Sequence, residues 1–208
     1  MTVVSLVLYV VALVVLFGVR SWLHRRRTGR AGFHGVTGTP RQPGWWGGVL
    51  FVAAVVLGLA APLLAATGAA PVRAPGWVQV LGLVLALLGF AATLIAQTGM
   101  GASWRIGVDT TERTDLVTTG VFASVRNPVF TAMAVAQLGM FLMVPHVISA
   151  AASIALVVAV QLQVRTVEEP YLAHVHGERY RAYAAGAGRF VPGVGRLPRD
   201  RIESQTSR

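Results

Sequence analysis

Residues 128–164 read PVFTAMAVAQLGMFLMVPHVISAAASIALVVAVQLQV, a run without one Asp, Glu, Lys or Arg, interrupted near its middle by Pro145-His146. A helix needs about 20 apolar residues to cross roughly 30 Å of hydrocarbon. The run is therefore two spans, Pro128 to Val144 and Val147 to Val164, turned back on each other at Pro145-His146. Helices joined by so short a loop lie antiparallel as neighbours. The matched lengths of the two spans return the chain to the side it left, which sets Arg126, just before the first, near Glu168 and Glu169, just after the second.

Working outward, three further stretches approach the length of a span: Thr2 to Leu23, Trp45 to Thr67 and Trp77 to Gln97. With 54% hydrophobic and only 12% charged residues, the 208-residue chain is too apolar for an ordinary soluble domain. The expected fold is an all-α membrane protein in one domain, residues 1–208. It has five transmembrane helices, a tight hairpin of the fourth and fifth, and a short cytoplasmic C-terminal helix. Thr2 to Leu23 lacks a basic leader and a small-residue cleavage site, so it is expected to stay as an anchor.

The formal charge of +10 comes entirely from Arg, since the chain has no Lys. In a chain this apolar such a bias sets orientation rather than nucleic-acid binding. Arg20, Arg25, Arg26, Arg27, Arg30 and Arg41 follow span one. Arg105, Arg113 and Arg126 follow span three, and eight more from Arg165 to Arg208 follow span five; only Arg73 lies between spans two and three. The positive-inside rule then places the C-terminus in the cytoplasm and the N-terminus outside, in a bacterial inner membrane. Trp45, Trp46 and Trp77 fall at the expected interfaces. Arg25-Arg26-Arg27 reads as a topogenic signal or a contact for anionic lipid. Gly82 and Ala86, four apart, allow close helix approach without naming a partner. The absence of Cys excludes disulfides and a cysteine nucleophile.

Beyond span five, Glu169-Pro170-Tyr171-Leu172 has the form of a helix restart, with Pro in the first turn and acids at the positive end of the dipole. That helix is expected over about 170–185, with Gly186 and Gly188 ending it and Pro192 preventing its resumption. Residues 204–208 are short and polar and are expected to lack structure. His174, His176 and Glu178 alternate at steps of two, which scatters them around a helix, so no metal site is expected. Gly186-Ala187-Gly188 follows no strand and is not a dinucleotide fingerprint.

Taken in order, Arg126-Asn127-Pro128 before a span, Glu168-Glu169 after the next, then Leu172, Gly177, Tyr180, Tyr183 and Arg189-Phe190-Val191-Pro192 form a pattern. It resembles the C-terminal signature of the isoprenylcysteine carboxyl methyltransferase and phospholipid methyltransferase group of integral membrane methyltransferases. The run Ser103 to Asp109, with Trp104 and Arg105, and Gly120-Val121-Phe122 resemble its bacterial members. The resemblance covers about Met100 to Pro192. It implies binding of S-adenosylmethionine on the cytoplasmic side, with a lipophilic acceptor reaching the site through the membrane. The residues it points to are Arg126, Glu168 and Glu169 for catalysis, and Arg126, Asn127, Pro128, Glu169, Tyr180, Tyr183 and Arg189 for the cofactor. The chain departs from the group at Asn127, where His is frequent, and at Phe130, where Tyr is. Asn bonds but does not titrate near neutrality, so it cannot act as a general base.

Methyl transfer from a sulfonium is an in-line displacement that needs positioning and a dry site more than acid–base groups. A carboxylate at Glu168 or Glu169 suits ribose hydroxyls or an ammonium, and the Arg126 fork suits a carboxylate. Substitution of Arg126 or Glu169 is thus expected to weaken donor binding and leave folding intact. Bland readings exist for the same residues. Arg126 snorkels as an interface anchor, Arg165 and Glu169 pair four apart along a helix, and Tyr180 and Tyr183 serve an aromatic belt. Two other functions fit the pattern: a sterol-type reductase using NADPH, and a lipid-binding protein without activity.

Overall fold

The computed structural model describes residues 1–29, 35–68, 72–104 and 115–197. Within them the regular elements are helices, joined by isolated bridges such as Val125 with Gly188. Four helices are long and apolar enough to cross a membrane: Thr2–Thr28, Pro43–Ala66, Gly76–Gly99 and Val147–Gly186. Their outer faces leave residues such as Val7, Val56, Leu88 and Ile154 exposed, as expected of an integral membrane protein whose apolar solvent is lipid.

The first helix comprises α1 (Thr2–Leu13), a π-helical turn over Val14–Val19, and α2 (Arg20–Thr28). It passes the expected end at Leu23 and stops at Gly29, whose φ of 78° caps it in the left-handed region. Arg25, Arg26 and Arg27 fall in its last turn, where cations suit the negative end of the dipole. Next come α3 (Pro43–Ala66), α4 (Gly76–Gly99) and α5 (Pro128–Met143). The 16 residues of α5 rise about 24 Å, less than a bilayer core. Its expected partner across Pro145-His146, α6 (Val147–Gln163), starts on a capping box between His146 and Ser149.

Packing pairs the helices by their small residues. α5 packs chiefly on α4 and α6 chiefly on α3, so the α5–α6 turn joins helices whose main partners lie elsewhere. The stripe of Gly82, Ala86 and Gly89 therefore does have a definite partner, the Ala132, Ala136 and Gly139 stripe of α5. A Cβ built on Gly89 would lie 2.6 Å from the Ala136 Cα, and one on Gly139 would lie 2.6 Å from the Gly82 carbonyl oxygen. Backbones this close are the usual source of helix association in lipid, where no hydrophobic force distinguishes helix from solvent.

The expected restart near residue 170 is not a break. From α6 the chain runs through a π-helical segment, Val164–Glu168, directly into α7 (Glu169–Gly186). Pro170 has no N–H to donate, and a π segment is one way a helix absorbs an interrupted hydrogen-bond ladder. The real discontinuity is Gly177, at φ 51° and ψ −126°, a conformation open to glycine. Arg165 bonds the Gln161 side chain at 2.7 Å, so the bland alternative of a pairing with Glu169 is not what the structure has.

Candidate active site

Two irregular segments far apart in the chain meet beside the end of α7. The Arg126 amide donates to the Gly188 carbonyl at 2.8 Å, the Gly188 amide to Ser124 at 3.0 Å, and the Asn127 amide to Arg189 at 3.1 Å. Gly188 is required there, since a Cβ would stand 2.9 Å from the Gly193 amide nitrogen. The Asn127 side chain adds a bond from Nδ2 to the Arg189 carbonyl at 3.1 Å, and Thr131 Oγ1 donates to the Phe190 carbonyl at 2.7 Å. The strap after α7 is thus stitched to the start of α5, where Pro128 occupies the first turn.

Beneath the strap lies a buried charge cluster. Glu169 accepts from Arg126 Nη2 at 2.7 Å through Oε1, and from Arg189 through Nε to Oε1 and Nη2 to Oε2, both at 2.8 Å. The side chains of Arg126, Glu169 and Arg189 are 2%, 10% and 14% exposed, so water does little to screen them. Arg126 also donates to the carbonyls of Ala184 (2.9 Å), Ala187 (2.6 Å) and Gly195 (2.9 Å). Those of Ala184 and Ala187 lie at the negative end of α7, a favourable place for a cation. Hydrogen bonding to Glu169 raises the Arg189 pKa against the opposing effect of burial. The Arg126 fork expected to grip a ligand carboxylate is therefore engaged within the protein, and Glu169 is held between two cations. Both groups shape the site from inside its wall, so their loss loosens the fold around it.

Two cavities flank this cluster. The smaller, about 110 Å³, is polar in part: Arg126, Asn127, Glu168, Glu169, Tyr180 and Tyr183 contribute to its wall. Tyr180 is fully buried, stands 6.3 Å from the Tyr183 ring and is packed against Leu116 and Ala184, while the Tyr183 hydroxyl donates to the Phe122 carbonyl at 2.7 Å. The larger, about 420 Å³, opens among α1, α3, α5 and α6 behind Phe17, Phe51, Phe130 and Met133. Met100, Phe122, Arg126, Asn127 and Glu168 line both. A polar chamber and an apolar one thus share a wall that carries a carboxylate and an amide.

The structure brings together all eight residues singled out in the sequence, with Pro128 on the apolar side and Arg189 behind Glu169. Sequence reasoning missed Gln97, Met100, Phe122 and Gln163, which also line the cavities. The two Gln carried a signal, since an amide in an otherwise apolar span has a reason to be there. Arg20, read only as a topogenic charge, is buried, donates to the Gln97 carbonyl at 2.8 Å and lies 5.2 Å over the Trp104 ring. Arg105 and the run to Asp109, the orientation residues Arg30, Arg113, Arg199, Arg201 and Arg208, and the tail 204–208 lie outside the described residues.

A bundle of apolar-faced helices enclosing adjoining polar and apolar cavities defines the class, an integral membrane protein. Residues 77–179, close to half of the chain, match the family model for phospholipid methyltransferase. Through this segment, which carries α4, α5, α6 and most of α7, the chain matches that family of integral membrane methyltransferases. No curated protein matches the chain.

Proposed function

We propose that the protein transfers the methyl group of S-adenosylmethionine to a lipophilic or amphiphilic acceptor, in the manner of the isoprenylcysteine carboxyl methyltransferases. The observation that carries this reading is the wall of Asn127 and Glu168 common to the polar and apolar chambers. One chamber offers polar groups to part of a charged, water-soluble donor and the other offers room for a greasy acceptor, and a methyl group moves only if the two approach in line. The donor supplies an electrophilic carbon on a cationic sulfur; the S–C bond breaks as a bond to the acceptor heteroatom forms, leaving the neutral thioether.

In this reading the Glu168 carboxylate lies at the junction, where a negative charge favours a sulfonium, and Asn127 supplies a neutral hydrogen-bonding group. Tyr180 and Tyr183 line the donor side. Arg126, Glu169 and Arg189 hold the wall in place, and Pro128 starts the helix that carries it. The family match supports this assignment. Calorimetric titration of the purified protein with S-adenosylmethionine, S-adenosylhomocysteine and NADPH tests it: binding of the first two is expected, and binding of NADPH alone would mark a reductase. Glu168→Gln is expected to lower S-adenosylmethionine affinity about tenfold or more, through loss of a charge-assisted contact to the sulfonium. Equal affinity in parent and variant would remove Glu168 from the donor site.

The same reading includes five crossings, with α5 as the fourth, an outside N-terminus and a cytoplasmic site in a bacterial inner membrane. The Arg distribution supports it. An alkaline phosphatase reporter fused after Arg73 is expected to be active and one after Thr119 silent; the reverse pattern would invert the orientation.

A further inference from the structure

The face of α5 that starts beside Asn127 continues inward as one stripe, with Phe130, Met133 and Gln137 at helical spacing. Phe130 and Met133 line the apolar chamber of about 420 Å³. Met133 and Gln137 line a further cavity of about 40 Å³. Leu13, Phe17, Val55 and Met133 belong to both walls, so the small cavity extends the large one into the bundle. Along the axis of α5, Gln137 lies about 15 Å beyond Asn127 at 1.5 Å per residue.

Gln137 is chemically out of place there. The rest of the small cavity's wall is apolar apart from Tyr9, whose hydroxyl already donates to the Val55 carbonyl at 3.1 Å. The Gln137 side chain is buried, and its amide nitrogen has no hydrogen-bond partner among the described residues. Other polar side chains of the interior turn to backbone instead: Thr93 Oγ1 donates to the Gly89 carbonyl at 2.8 Å, and Gln97 Nε2 to that of Leu16 at 3.3 Å. A buried amide donor beside an apolar cavity is costly unless a ligand completes it. We infer that the small cavity is a binding subsite for a carbonyl oxygen carried by a lipophilic ligand, with Gln137 as its hydrogen-bond donor. A carbonyl accepts and brings no proton of its own for the apolar wall to satisfy. A hydrocarbon tail fills the same space and leaves the amide orphaned, so the subsite favours a ketone or ester over a plain alkyl or prenyl chain. That this ligand is the methyl acceptor rests on the methyltransferase reading; the contact with Gln137 does not.

The test uses the full chain in lipid nanodiscs and two probes of equal chain length: methyl undecyl ketone, isotopically labelled at its carbonyl carbon, and tridecane. Infrared difference spectra report the contact directly, since a carbonyl that accepts a hydrogen bond absorbs at lower frequency than one dissolved in lipid. The parent is expected to show the shifted band and to bind the ketone about tenfold more tightly than tridecane. Gln137→Met, similar in length and without the amide, is expected to lose the band and the tenfold preference while binding tridecane as the parent does. Without ligand, the same variant is expected to have a raised thermal midpoint, because it removes an unpartnered buried donor. The inference is overturned if the parent shows no shifted band, if the band survives in Gln137→Met, or if that variant's midpoint falls, which would mean that a buried water already completes the amide. A parent that shows the band but fails to bind S-adenosylhomocysteine would overturn the methyltransferase reading and leave the Gln137 contact standing.

Discussion

Glu169→Gln is expected to unfold the end of the bundle that carries the charge cluster at a much lower temperature than the parent. The substitution keeps the shape of the side chain and removes its charge. Arg126 and Arg189 would then face each other in a site where neither is more than 14% exposed. Removing one member of a buried, hydrogen-bonded charge group costs about 3–5 kcal/mol, because the partners stay buried without compensation. Arg126 retains its bonds to the Ala184, Ala187 and Gly195 carbonyls, which soften the loss on its side. Arg189 has no such reserve among its side-chain bonds, which both go to Glu169. The double variant Glu169→Gln, Arg189→Gln is therefore expected to recover part of the midpoint. Thermal unfolding followed by circular dichroism in detergent measures both. A Glu169→Gln midpoint equal to that of the parent would mean that the cluster does not hold the strap. The contrast with Glu168→Gln, one residue away, separates a group that supports the wall from one proposed to touch the donor.

The second large effect is expected at Gly139. Alanine is intrinsically about 1 kcal/mol better than glycine inside a helix. Here the added Cβ would stand 2.6 Å from the Gly82 carbonyl oxygen and 2.8 Å from the Ala86 Cα, backbone atoms that cannot rotate away. Overpacking of this kind costs about 1–3 kcal/mol for one methyl group, which outweighs the propensity gain. Gly139→Val adds two further carbons and is expected to separate α4 from α5. The end of α4 leads to Met100 and the start of α5 carries Asn127, so donor binding should fall along with stability. Gly18→Ala is the control, since nothing lies within 4 Å of its Cβ position and propensity alone acts there. A Gly139→Val protein as stable as the Gly18→Ala protein would show that the two backbones are not in contact.

Helix positions were legible because lipid leaves the backbone no other partners. Each span must satisfy its own N–H and C=O groups, so apolar length converts almost directly into helix length. α3, α4 and α5 begin and end within two residues of the expected limits, and α6 begins where expected but runs on without a break into α7. Legibility failed where local signals competed. Glu169-Pro170 has every mark of a helix start, yet the preceding apolar helix carries through it by shifting to π geometry. Gly177, one glycine among 23, gave no sign that it alone breaks the helix.

The site divides in the same way. Order and spacing of Arg126, Glu168, Glu169, Tyr180, Tyr183 and Arg189 anticipated that they meet, because α5 and α6 are nearly equal in length and return the chain to the level it left. Their separate duties could not be read that way. Glu168 and Glu169 are adjacent and chemically alike, but a helix turns them to different surroundings: one lines both chambers and the other is clasped by two guanidinium groups. The partners of Arg126 are carbonyls 58 to 69 residues distant, and a carbonyl carries no side-chain signature. Sequence by itself determined the helices, their lengths and the polar residues at their ends. Tertiary structure decided which helix lies against which and that the Gln137 amide nitrogen has no partner among the described residues, because both depend on close approach between residues that no local pattern connects.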